Sequence, residues 1–111
     1  MTARGCGAAA LFALAALLAY VSFGATVEME TFPGFRPNHA GFAVFSVVLA
    51  VLSAWGGLAV AGRRSRLALA ATVCVAAALT WRMYTLAPAL HCWEHNTVGR
   101  NDDGSYDCFD L

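Results

Sequence analysis

The sequence contains no lysine and little charge of either sign. Only 13% of its 111 residues are charged, whereas 59% are hydrophobic. A soluble domain of this size would expose too much apolar surface to water, so the composition predicts a membrane protein. The seven basic residues, all of them arginine, balance seven acidic ones, and no long basic tract interleaved with aromatic residues is present. We therefore expect no nucleic-acid partner.

Common sequence signatures of catalysis are also absent. The chain has no Gly-rich phosphate loop, no Cys-x-x-Cys pair, no haem motif and no Ser-His-Asp set. No acidic residue or histidine lies deep inside an apolar run, which disfavours a proton-coupled transporter because such a protein needs a buried titratable group. We expect a protein that is not an enzyme and that uses no cofactor.

Three apolar runs are each long enough to cross a bilayer. At a rise of about 1.5 Å per residue, a helix of roughly 20 residues matches a hydrocarbon core of ~30 Å. The sequence therefore predicts three transmembrane helices. They cover, approximately, residues 7–27, 39–62 and 67–90.

The segments outside these runs are predicted to be non-helical. Residues 28–38 contain prolines and a glycine that cannot continue a helix, so they are expected to form a loop, with Asn38 as the N-cap of the second helix. Residues 91–111 form a polar tail. The expected fold class is all-α: an integral membrane protein with three transmembrane helices in a single membrane domain, residues 1–111, with a short disulfide-stapled tail.

A cleaved signal peptide is the competing interpretation of the first run. Ser22-Phe23-Gly24-Ala25 offers small residues for cleavage. The run is long for the apolar region of a signal peptide, however, and Tyr20 and Phe23 are bulky near the cleavage position. These features favour a retained helix, and the sequence leaves both interpretations open.

The orientation is predicted by the short loop between the second and third runs. It carries Arg63, Arg64 and Arg66, and short arginine-rich loops stay on the cytoplasmic side of a bilayer. Arg4, ahead of the first run, agrees with this orientation. We expect a multi-pass plasma-membrane protein with a cytoplasmic N-terminus and with its loop at residues 28–38 and its C-terminal tail outside.

Two of the four cysteines share the predicted outer tail. Cys92 and Cys108 lie in the same oxidising compartment, so we expect them to form a disulfide. Closing a loop of this size stabilises it by about 3 kcal/mol in the chain-entropy model. Cys6 and Cys74 are expected to be free and inert.

Arg82 is the only charged residue embedded in an apolar run. Charged residues within a membrane are functional candidates by default. Glu28 and Glu30, at the outer end of the first run, are its predicted ion-pair partners. A side chain that snorkels to the interface and a site for an anionic ligand remain alternatives.

One short motif resembles a zinc-binding pattern. His91, Glu94 and His95 match H-x-x-E-H, in which two histidines share one face of a helix. A third ligand would have to come from Cys108 or Asp107. The motif is weak alone, no catalytic domain surrounds it, and a disulfide is the better use of the cysteine. We expect no metal site, with His91 and His95 as the candidates if one exists.

The aromatic residues are unevenly distributed. Apart from Phe12 and Trp55, they map to the outer half of the runs or to the outer segments. An interfacial belt alone would populate both faces of the bilayer. The excess indicates an outer end that packs on a loop, a lipid or a partner.

The leading hypothesis is a non-catalytic accessory or scaffold subunit that docks a larger membrane-protein partner through its outer loop and tail. One alternative is a small homo-oligomeric, holin-like pore or transporter formed by self-association in the lipid bilayer. Another is a metal-binding membrane enzyme that uses His91, Glu94 and His95. A pore needs a polar face, for which the spans offer little material: Ser46, Ser53, Thr72 and Thr80.

Overall fold

A computed structural model describes residues 3–27, 31, 34–62 and 64–110. Its long helices are α1 (Ala3–Ala25), α2 (Ala40–Ala61) and α3 (Arg66–Leu86), and a short 3₁₀ helix, Ala87–Cys92, continues α3. Its strands are β1 (Gly34–Pro37), β2 (Thr97–Arg100) and β3 (Tyr106–Phe109). Glu28, Glu30 and Arg63, which the sequence analysis singled out, lie outside the described residues.

The chain is mostly helical, with three helices long and apolar enough to cross a membrane, as predicted. Gly62 is the C-cap of α2, and its φ of +88°, which suits glycine, breaks the helical path. Ser65 is the N-cap of α3, and its hydroxyl accepts a hydrogen bond from the backbone N–H of Ala68. The ends of the three long helices lie within a few residues of the predicted ends of the apolar runs. The third run is α-helical only as far as Leu86 and continues as the 3₁₀ helix.

The helices α1 and α2 form a close antiparallel pair. Near one end, Nε of Arg4 donates to the backbone oxygen of Val60 at 2.8 Å. About one turn further along α2, the Phe12 ring lies so close to Gly57 that a Cβ atom there would come within 3.0 Å of it. The absence of a side chain at Gly57 thus allows this close approach, which matches the use of small residues at membrane helix interfaces.

The helix α3 runs parallel to α1 and packs mainly through its C-terminal half. Leu79 and Leu86 are buried there, in two apolar clusters that also contain residues of α2. In the other half, α2 and α3 diverge and leave an apolar groove of about 450 Å³, with Trp55 and Val75 among its lining residues.

A small sheet covers one end of the helices, which an all-α fold class did not anticipate. The strands are antiparallel in the order β1-β2-β3, so the loop before α2 and the C-terminal tail form one structure. We call this sheet together with the 3₁₀ helix the cap. Val98 and Tyr106 of the sheet are buried against Leu86 and Ala89.

The charged residues are divided between the two ends of the molecule. Arg4, Arg64 and Arg66 lie at the end opposite the cap, whereas every described acidic residue belongs to the cap or its connections. The molecule is 52 Å long and about 20 Å across, with extents of 22 and 19 Å. The apolar helices therefore separate a basic end from an acidic one.

Candidate functional site

The most unusual side chain in the structure is Arg82, which has no exposed surface although it is charged. Its Nε donates to the Ser22 hydroxyl at 2.9 Å, and Nη2 donates to the Ser22 backbone oxygen at 2.9 Å and to Oγ1 of Thr26 at 2.5 Å. Nη1 donates to the Thr85 hydroxyl at 3.3 Å. A buried charge is tolerated only when it is hydrogen-bonded in this way.

The Arg82 network connects all three long helices. Ser22 of α1 accepts from Arg82 of α3 and itself donates to the backbone oxygen of Ala43 in α2 at 2.9 Å. The Phe23 ring adds a cation–π contact, with its centroid 4.7 Å from Cζ of Arg82. The guanidinium of Arg82 therefore joins α3 to α1 directly, and through Ser22 it is also connected to α2, at the end of the helices beside the cap.

The structure decides part of what the sequence left open for Arg82. Its side chain is buried between helices and does not snorkel, since none of its surface is exposed. The predicted ion pair with Glu28 or Glu30 stays a prediction, because both acids lie outside the described residues. The roles of Ser22 and Thr26 as partners of Arg82 were not predicted, although two hydroxyl residues four positions apart in a predicted helix share one face and could have indicated an internal hydrogen-bonding site. Thr26 in fact lies just after the end of α1.

The predicted Cys92–Cys108 disulfide is confirmed. It joins the 3₁₀ helix to β3, with the two Cα atoms 5.2 Å apart. Cys92 is fully buried in the cluster between the helices and the sheet. Cys6 and Cys74 are free and exposed on the helices. The disulfide thus anchors the C-terminal hairpin to the helical part of the molecule.

Asn38 provides a second connection between the two parts of the cap. Its Oδ1 accepts from the backbone N–H of Ala40, the first residue of α2. Its Nδ2 donates to the backbone oxygens of Cys92 and His95 at 2.6 and 2.8 Å. The N-cap of α2 is His39, one residue after the predicted Asn38, and Asn38 holds the start of α2 against the C-terminal segment.

The zinc-like motif is not arranged as one ligand set. His91 lies in the 3₁₀ helix, where Nε2 is 2.7 Å from the backbone oxygen of Tyr106. His95 follows that helix, and Nδ1 is 3.1 Å from the Asp110 carboxylate. An α-helical face shared by both histidines, which the motif requires, is therefore missing. The described residues place His91 near Cys92 and Cys108, but the disulfide occupies both sulfur atoms.

The outer face of the sheet carries an aromatic pair, of which Phe35 is exposed and Phe109 is half-buried. Side chains alternate between the faces of a strand, so Val98 and Tyr106 point to the helices, whereas Phe35 and Phe109 point away. The two phenylalanine rings meet edge to face over Gly99, with centroids 4.8 Å apart. Phe35 is 64% exposed although it lies on a structured surface.

The cap is acidic. In residues 34–37 and 87–110 five acidic residues outnumber two arginines. The acidic residues are Glu94, Asp102, Asp103, Asp107 and Asp110. Hydrogen bonds from the side chain and the backbone N–H of Ser105 hold the pKa of Asp103 below its ordinary value. This carboxylate therefore stays ionised at neutral pH and contributes to the negative charge of the cap.

Comparison of the chain with protein-family models, with curated proteins and with solved structures finds no match. The functional interpretation therefore depends on the chain's own geometry. Three features carry it: the Arg82 network, the disulfide-anchored cap and the aromatic pair of the sheet.

Proposed function

We propose that the protein is a non-catalytic integral membrane protein whose cap lies outside the cytoplasm and docks a larger membrane-protein partner. The observation that carries this proposal is the Phe35–Phe109 pair on the outer face of the sheet, where Phe35 is 64% exposed and Phe109 is half-buried beneath it. Large aromatic side chains in the centre of a surface patch are the usual anchors of protein interfaces.

The construction of the cap supports a docking role. A disulfide, the Asn38 hydrogen bonds and the antiparallel ladder fix the sheet on the helices. A rigid surface loses little conformational entropy when it binds, which favours affinity. The acidic residues of the cap suit a partner with a basic rim around an apolar pocket, because complementary charge guides association.

A pore or transporter receives less support. The four hydroxyl residues of α2 and α3 that could form a polar face donate to backbone oxygens of their own helices, four residues earlier, at 2.7 to 3.1 Å. Their hydroxyl donors are therefore already used within the helices and are not free to bind water or ions in a pore. These residues are Ser46, Ser53, Thr72 and Thr80.

The proposed orientation predicts the result of a reporter fusion. A reporter enzyme that is active only outside the cytoplasm should be active when fused after Leu111 and inactive when fused after Arg64. The reason is that the arginine-rich end, with Arg64 and Arg66, resists translocation. The reverse pattern of activity would refute the orientation and would place the cap in the cytoplasm.

The docking surface predicts the effect of removing one aromatic ring. Phe35→Ala should reduce recovery of a stoichiometric membrane-protein partner, co-purified in mild detergent from the native host, by about tenfold or more, as expected for an aromatic anchor. Phe42→Ala is the matched control, because Phe42 is similarly exposed but lies on α2. Equal recovery with both variants would refute this surface. If the purified protein is instead a homo-oligomer that conducts ions, the pore hypothesis is favoured. If it contains one bound zinc ion per chain, the metalloenzyme hypothesis is favoured.

A further inference from the structure

A second surface feature lies where α3 meets the cap. It is an open groove of about 740 Å³ between the end of α3, the 3₁₀ helix, α1 and the C-terminal hairpin. One side of the groove is apolar and aromatic, with Phe23, Tyr84 and Pro88, and the other carries the charged side chain of Arg100. The groove is therefore amphipathic.

Arg100 is the cation of this groove. It ends β2 directly opposite Tyr106 of β3, on the face of the sheet that points to the helices. Its side chain is exposed and makes no hydrogen bond or ion pair with any residue that the structure describes. A guanidinium with all its donors free at the rim of an aromatic groove is suited to bind an anionic oxygen group.

A second positive charge lies behind the apolar wall. Thr85, which also lines the groove, accepts from Nη1 of Arg82, and the Phe23 ring contacts the same guanidinium. Arg82 is held by Ser22 and Thr26 and does not need to contact a ligand itself. Its positive charge lies close behind the wall of the groove, through its contacts with Thr85 and Phe23.

We propose that this groove binds one membrane phospholipid, with its phosphodiester on Arg100 and an acyl chain along Phe23 and Tyr84. This inference rests on the membrane insertion contained in the proposed function, because only then does the groove lie at the boundary between hydrocarbon and water. Tyr84 stacks on Trp81 one turn earlier in α3, with centroids 5.8 Å apart, and such aromatic residues favour this boundary.

A lipid fits the groove better than a free phosphate ion. Asp102 and Asp103 lie in the turn beside Gly104, which lines the groove, and their charges oppose a dianion. A phosphodiester carries a single negative charge, and its acyl chains gain apolar contact that inorganic phosphate cannot make. The shared chemistry of both ligands is an anionic phosphate oxygen, so the experiment has to distinguish the two sources.

The test uses the full-length protein in nanodiscs that contain phosphatidylglycerol, followed by transfer to a nonionic detergent and native mass spectrometry. The wild type should retain about one phospholipid per chain, and Arg100→Gln should lower the retained fraction about tenfold, since a charge-assisted hydrogen bond is lost. Arg64→Gln is the matched control, because it removes an exposed arginine at the opposite end. Tyr84→Ala, which shortens the apolar wall, should also lower retention.

The other outcomes would overturn the inference. Retention by Arg100→Gln equal to that of Arg64→Gln would show that bound lipid does not use this groove. Displacement of the lipid by millimolar inorganic phosphate would assign the site to a free anion. Disulfide mapping and circular dichroism on each variant show whether it is folded. Release of the chain from membranes by alkaline carbonate would instead refute the proposed function itself, so the two failures are distinguishable.

Discussion

Replacing Arg82 by methionine is expected to lower the free energy of unfolding by about 3 kcal/mol, since buried hydrogen-bond acceptors then lose a charged donor. The loss should concern the packing of α1 on α3, because the donors of Arg82 reach Ser22 of α1 and Thr26, the residue that follows α1. Reversible unfolding of the purified protein in mixed detergent micelles, followed by tryptophan fluorescence, measures this change.

Two further variants make this prediction specific. Arg82→Lys keeps the charge but lacks the planar fork that reaches several acceptors at once, so about half of the loss should remain. Arg66→Met removes an exposed arginine from the other end of α3 and should change the stability by less than about 0.5 kcal/mol. An Arg82→Met variant as stable as the wild type would refute the structural role of the network.

The predicted ion pair of Arg82 is tested within the same series. A double-mutant cycle of Arg82→Met with Ser22→Ala should give a coupling of about 1 kcal/mol or more, because the two side chains are in direct contact. The same cycle with Glu28→Gln or Glu30→Gln measures the ion pair directly. Zero coupling for both acids would refute the predicted ion pair and leave the stabilisation of Arg82 to partners such as Ser22, Thr26 and the Phe23 ring.

The helical part of the fold could be predicted because its signal is local. An apolar run of about 20 residues specifies a membrane-length helix by itself, whatever the rest of the chain does. The disulfide could also be predicted, since only Cys92 and Cys108 lie in the tail. Arg82 was identified as the exceptional residue for the same reason: a single charge within an apolar run is visible in the sequence.

The pairing of β1 with the C-terminal hairpin could not be predicted because its signal is not local, whereas β2 and β3 are neighbours in the chain. The strands are four residues long, and β1 pairs with β2 across the whole of α2 and α3, Phe35 lying opposite Gly99. Strands this short contain too few residues for an alternating pattern to be recognised. Their pairing depends on the helices bringing the loop and the tail to one end of the molecule.

The partners of Arg82 show a second limit of sequence reasoning. Ser22 turns toward Arg82, whereas Ser46 donates to its own helix, to the backbone oxygen of Phe42. Both are buried serines in apolar helices, and both outcomes are common for this residue type. Only the position of α3 relative to α1 decides between them, and that position follows from tertiary packing.

Removal of the disulfide should have the second large effect, this time on the cap. In the variant Cys92→Ser/Cys108→Ser, the cap should lose about 3 kcal/mol of stability, the value for closing a loop of this length. Three strands of four residues have too little buried apolar surface to compensate for such a loss. Amide hydrogen exchange in β2 and β3 should therefore become much faster, by a factor of about 100.

The helices provide the internal reference for this experiment. The Arg82 network does not include either cysteine, so amide exchange in the middle of α1 and α2 should stay close to that of the wild type. Cys6→Ser/Cys74→Ser is the matched control, because it removes the two free cysteines and should leave exchange in the cap unchanged. Unchanged protection of the strands in Cys92→Ser/Cys108→Ser would mean that the Asn38 hydrogen bonds and the buried cluster around Val98 and Leu86 suffice to fold the cap.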